Sequence, residues 1–320
     1  MSVTAFLVPS PVPLEIADDD APVGRPRDRP GYHRVRRGVY APQHEWDRLA
    51  ARERYLTRVH ALAAIRPNTV FCMESAAALL GLPLFGEPRR IHAFAPGLRR
   101  STSFGDVTVH TSATARRVDA GGTIAVVDAA DTSIDLAHVL PPAFGLAVMD
   151  AAIAAHPAAS TMRDELQHRL ETRVPAHGRR RAEWALGFAV ANSESVGESV
   201  SRAVISWLGV EAPELQCVFR GEGARDRTDF LWRRASVAGE FDGWDKYPTH
   251  DPRAARAAFI AEKRREDRLR RQLRAVVRWE WRDALHPHHL ERLLAQAGVP
   301  RTDRRRPSLL ADVGRNPRST

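Results

Sequence analysis

A chain of 320 residues with 43% hydrophobic and 27% charged positions can hold two ordinary domains and has a globular balance, not a fibrous or disordered one. No apolar run approaches the roughly 18–20 residues of a membrane-spanning helix, and MSVTAFLVPSPVPLEIADDD lacks the basic-then-apolar build of a secretory leader. Two cysteines, Cys72 and Cys217, exclude a disulfide framework or a thiolate metal site, so a cytoplasmic setting without membrane contact is expected.

The net charge of +9 is unevenly placed. Residues 251–320 carry 18 basic and 9 acidic side chains, which accounts for the whole excess. Such an end suits a polyanion, and equally a solvated arginine-rich helix and tail.

Residues 1–30, rich in Pro and Asp, read as disordered. YHRVRRGVYA (32–41) alternates basic and apolar residues around Gly38, as a hairpin or wing does. Apolar positions at helical spacing predict helices over 45–65 and 74–80, the second stopped by Gly81 and Pro83. Short strands are expected near 91–95 and 107–111, then an alanine-rich helical region over 132–156 broken at Pro141–Pro142. Residues 175–192 form a basic linker and a lead-in helix. The domains expected are therefore 31–174, α+β and mostly helical, and 193–298, α/β, followed by a disordered basic tail over 299–320.

The second domain reads element by element: helix 194–208, strands 215–219, 228–232 and 237–242, charged helix 252–273, strand 275–280 and helix 288–296. The order is α-β-β-β-α-β. Two of its core strands carry acids. In TDFLW, Asp229 shares a face with Leu231; in VAGEFDG, Glu240 and Asp242 share a face with Ala238. Carboxylates on otherwise apolar strands need a reason, and a hard divalent cation such as Mg²⁺ or Mn²⁺ supplies one, since it takes oxygen ligands and promotes phosphodiester displacement. Asp229, Glu240 and Asp242 are the candidate metal ligands. Glu198, one turn before Arg202, is a further candidate, and Lys246 could assist at a phosphate. Lys263, Arg264, Arg265, Arg268 and Arg202 are candidate phosphate contacts, as are Arg34, Arg36 and Arg37 in the first domain.

SESVGESVSR, RTDF, GEFDGWDKY and EKRREDRLR, in that order, resemble the PD-(D/E)XK nucleases, especially the branch related to the very-short-patch-repair endonuclease. The resemblance implies a restriction-endonuclease-like core, with Asp229 and Glu240 as metal ligands and Glu198 as the helix glutamate. Asp242 stands where the general pattern has lysine, and only Lys246 is offered in its place. YHRVRRGVYAP, ESAAALLGLPL and DTSIDLAHVLP resemble the AbiEi-type antitoxins of type IV toxin–antitoxin systems. There a winged helix-turn-helix precedes the RRGVYA segment; PVGRPRDRP has no such helices, which leaves an eroded remnant.

Two functions follow. One is a Mg²⁺-dependent DNA endonuclease; the other is a non-catalytic DNA-binding antitoxin or transcriptional regulator with a toxin protein as partner. The remaining eye-catching residues have plainer uses. His286, His288 and His289 read as solvated loop histidines, Trp279 and Trp281 as packing, Cys217 as a buried strand residue, and Ser75 as a helix-start residue outside any Gly-x-Ser-x-Gly context.

Overall fold

A computed structural model describes residues 6–17, 30–174, 177–243, 252–313 and 315–319. They divide into two units, one made of residues 1–140, 158–187 and 316–320, the other of residues 141–157 and 188–315.

The first unit opens with β1 (Glu15–Ile16), β2 (Tyr32–Arg36) and β3 (Val39–Pro42), which form a small antiparallel sheet in the order β1-β3-β2. The expected hairpin is present, turning at Gly38 with φ of 81°. The disorder expected over 1–30 does not hold for residues 6–17. Val12 is buried, the Val8 N–H donates to Leu79 O at 2.7 Å, and Tyr32 Oη donates to Glu15. Residues 1–5 and 18–29, including most of PVGRPRDRP, lie outside the described residues.

The helix expected over 45–65 is two helices, α1 (Gln43–Trp46) and α2 (Ala51–Ile65), because Glu53 turns back to accept the Ala50 N–H and starts a fresh first turn. Then come β4 (Val70–Phe71), α3 (Met73–Leu80), β5 (Ile91–Phe94), β6 (Thr102–Phe104), β7 (Val107–His110), β8 (Val118–Gly121), β9 (Ile124–Val127) and α4 (Ala129–Val139). The strands form a six-stranded mixed sheet, β6-β7-β5-β4-β9-β8, of which periodicity had shown two. Tyr55, Val59, Leu62, Phe71, Leu79, Ile91 and Val126 fill the core beside it. Helix α5 (Pro142–Ala155) belongs to the second unit, while α6 (Ala159–Thr172) and α7 (Arg179–Phe188) return to the first, α7 ending at its border. The acids at the start of α4 are structural: Asp128 caps the helix, Arg169 of α6 donates to Asp128, and Arg173 reaches both acids of DTSID, Asp131 and Asp135.

The second unit contains α8 (Val196–Leu208), β10 (Glu214–Gly221), β11 (Ala224–Trp232), β12 (Val237–Phe241), α9 (Pro252–Gln272), β13 (Ala275–Trp279), α10 (Trp281–Leu285), α11 (Pro287–Gln296) and α12 (Pro307–Ala311). The α-β-β-β-α-β order is as expected; α10 and α12 are additions. The sheet order is β10-β11-β12-β13, antiparallel through β12 and parallel at β13, with α9 as the crossover that a parallel pair requires. Leu269 of α9 and Leu273 just past its end pack on Leu231 and Ala238, one face of the sheet. On the other face Trp279 lies 5.1 Å from Phe230 and donates through Nε1 to Ser201 of α8 at 2.8 Å.

Ser195 caps α8 by accepting the Glu198 N–H, and Gly209 ends it in the left-handed conformation. The tail expected to be disordered is built in: the Arg306 N–H donates to Trp207 O, and Val210 bridges Arg301. Backbone donors and acceptors at the end of α8 supply the partners that composition could not show.

Gly197 allows α8 to reach the sheet, since a Cβ there would sit 2.0 Å from the Phe241 ring. Phe241 is itself buried and edge-on to Trp281, so it has little room to yield. Gly197→Ala is expected to cost about 1–3 kcal/mol in urea unfolding; an unchanged midpoint would mean that the helix and sheet separate freely.

Candidate functional site

The strand register sets the acids side by side. Phe230 pairs with Gly239 in the last pair of the β11–β12 ladder, and the next residues outward are Asp229 on β11 and Glu240 on β12. On its other flank, the pairs Leu215–Phe230 and Cys217–Thr228 bracket Gln216 and Asp229. Gln216 has φ of 54°, a left-handed conformation that costs a non-glycine residue on the order of 1 kcal/mol. Its Nε2 donates at 2.8 Å to Glu198 Oε2, which also accepts the Glu194 N–H at 3.1 Å. Asp229 Oδ2 accepts the Phe241 N–H at 2.9 Å, so the carboxylate is steered toward the end of β12.

Glu198, Asp229 and Glu240 therefore interact from three elements. Burial raises the Glu198 carboxyl above the usual glutamate range, and the Asp229 charge adds to it. Burial raises Glu240 too; Arg265 and Arg278 oppose that rise, while Asp229 and Glu262 reinforce it. The Asp229 charge acts on both. Carboxylates shifted upward by burial and by one another are a frequent mark of a functional site.

Glu240 is only 2% exposed and has cations of its own. Arg265 of α9 donates two hydrogen bonds to its Oε1, one at 2.6 Å, and Arg278 Nη2 lies 3.0 Å from Oε2 without hydrogen-bond alignment. Asp242 falls just past β12, where its N–H donates to Trp279 O at 2.9 Å and continues the ladder by one residue. Lys246 lies outside the described residues.

Among the described residues no group of three or more His, Cys, Asp or Glu is arranged to hold a metal ion. Hard oxygen donors are nevertheless present. Glu240 Oε2 and Gln216 Oε1 are buried oxygens without a hydrogen bond among the described residues, and hard oxygen is what Mg²⁺ takes. As the site stands, guanidinium groups fill the counter-ion role.

Several expected phosphate contacts are engaged elsewhere. Arg202, expected to neutralise Glu198 and meet nucleic acid, is buried. It donates to Phe188 O at 2.6 Å, lies 3.7 Å from Asp150 and has its guanidinium over the Phe188 ring. An apolar stripe on α8 turns this arginine inward with the rest. Arg265 holds Glu240, Arg268 pairs with Asp226 at 2.7 Å, and Arg36 pairs with Asp106 at 2.6 Å. Lys263, Arg264, Arg34 and Arg37 are exposed. Cys217, expected to be buried, is half-buried. Ser75 is buried as a hydrogen-bond partner of Tyr55 and of the His92 N–H.

Sequence reasoning missed Gln216, Arg278 and Asp150. Arg278 carried the same signal as Asp229, a charge within an apolar strand, in AVVRW. Gln216 carried none until the β10–β11 register was known. Compared with protein-family models, curated proteins and solved structures, the chain matches none.

A raised carboxyl pKa means that the folded state holds a proton the unfolded chain has released. Stability is therefore fully present below the unfolded value of about 4.3 and falls as pH rises toward the folded value. Glu198→Gln keeps an acceptor for Gln216 and removes the charge. It is expected to raise neutral-pH stability and to flatten that decline in denaturant titrations across pH. A loss of stability would show that Glu198 is held by attraction.

Proposed function

We propose that residues 188–315 form a restriction-endonuclease-like module that cleaves phosphodiesters, with its centre at Asp229, Glu240 and Glu198. The supporting observation is the shared corner, where a strand carboxylate is set between two buried carboxylates whose pKa values it raises. The strand order and the α9 crossover agree with such a core.

Asp229 and Glu240 would hold a divalent cation, with Asp242 at the strand end beside them. When bound, the cation would supply Lewis acidity at the phosphate and lower the pKa of a water. The chain's own residues do the rest. Glu198, raised above an ordinary glutamate and fixed by Gln216 and the Glu194 N–H, is a stronger proton acceptor held at a set place. Arg265 and Arg278 neutralise Glu240 and, with a cation held there, would be free to face the phosphate. Exposed Lys263 and Arg264 on α9 add backbone contacts that position a nucleic acid without reading its sequence.

The pairing of Glu240 with two arginines also favours a second reading. In it the acids are permanently neutralised and the unit, with its antitoxin-like neighbour, binds DNA or a toxin protein without cutting. Plasmid nicking across Mg²⁺ and Mn²⁺ separates the two. Asp229→Asn keeps an acceptor for the Phe241 N–H and is expected to lower metal-dependent nicking by about 100-fold or more while leaving the fold intact. If wild type and variant nick equally, the proposed centre is wrong. DNA binding that weakens with salt yet ignores both Mg²⁺ and Asp229→Asn would establish the non-catalytic reading.

A further inference from the structure

Glu74, the second residue of α3, is buried 5% exposed in a pocket of the first unit lined by Pro83, Leu84, Phe85, Pro88, Leu136 and Leu140. A buried carboxylate needs a cation or a proton. His92 stands 3.3 Å away, but burial depresses its pKa to about 4, so it is neutral at physiological pH and shares a 2.8 Å hydrogen bond with His110 instead. The cation is Arg318. Its Nε and Nη2 grip the two oxygens of Glu74 side by side, the second at 2.7 Å, and hold the carboxyl below the usual range although burial alone would raise it.

The rest of the segment is held as a peptide ligand is held. Ser319 forms an antiparallel bridge with Pro88, the Arg89 N–H donates to Arg318 O at 3.2 Å, and Arg89 Nε donates to Ser319 O at 3.0 Å. Asn316 Nδ2 donates to Phe85 O at 2.8 Å. Residues 316–319 belong to this unit but are separated from it in sequence by residues 188–315, so their attachment is one of contacts and not of local chain.

We propose that the first unit carries a binding site for a short arginine-bearing peptide that turns at its arginine, that residues 316–319 are its resident occupant, and that the site accepts the same sequence supplied in trans. The fork of the guanidinium matches Glu74, whereas an ammonium would leave one oxygen unmet. A tethered occupant competes at high effective concentration, so an outside peptide gains access when the tail is removed or lifted.

The test uses a fluorescent peptide, DVGRNPRST (residues 312–320), and a chain ending at Arg315. Saturable binding is expected. It should weaken by about tenfold or more with Arg318→Lys in the peptide or Glu74→Gln in the protein, and by a similar factor with the full chain as host. Equal uptake of an Arg318→Ala peptide, or no uptake by a folded shortened chain, would overturn the proposal. If the shortened chain does not fold, the full-length Arg318→Ala chain serves as host. The wild-type peptide must then bind and raise its melting temperature, and failure to do so counts equally against the site.

Discussion

Asp229 stands where β11 parts from β12, held by the Phe241 N–H, with Glu240 on β12 and Glu198 reaching in from α8. Two of these three acids are buried, and each feels the Asp229 charge. Packing a helix so that a glutamate overlooks a strand aspartate requires Gly197 under Phe241 and a strained Gln216. A fold that only needed stability would replace such a corner with apolar residues at little loss. That the corner is built this way is the constraint from which the rest of the second unit follows.

The basic excess of residues 251–320 takes on a different meaning beside it. Arg265, Arg268, Arg271, Arg278 and Arg301 each pair with a carboxylate of the same unit. Much of the positive charge is internal counter-charge, leaving side chains such as Lys263 and Arg264 toward solvent. In the first unit Arg116, Arg169 and Arg173 bind the acids of α4 in the same way, and Arg318 binds Glu74. In the buried pairs arginine serves as a structural residue, because a forked guanidinium satisfies a buried carboxylate that a hydrated ammonium would not.

Much of the second unit was legible in sequence because its signals are local. Alternation along 228–232 and 237–241, the Ser195 cap and the Gly209 stop mark elements within a few residues, and Asp229 and Glu240 stand out as acids on apolar strands. What was not legible depends on distant partners. Arg202 has the spacing of a surface partner for Glu198, and only the position of Asp150 and Phe188, on segments earlier in the chain, turns it into a core residue. β4 and β6 run two and three residues, too brief for a period to register, and the alternation of the four-residue β8 and β9 is broken by Gly121 and by the apolar run IAVV. The end of the chain reads as a polar tail until Trp207 and Glu74 offer it partners.

The central claim is that repulsion around Asp229 creates a place for a divalent cation. Thermal unfolding of the full chain with and without millimolar Mn²⁺ tests it without requiring a substrate, because a ligand that binds only the folded state stabilises it. The account predicts a higher melting temperature for the second unit with Mn²⁺ and no such rise in Asp229→Asn. An equal rise in both chains, or none in either, would contradict it.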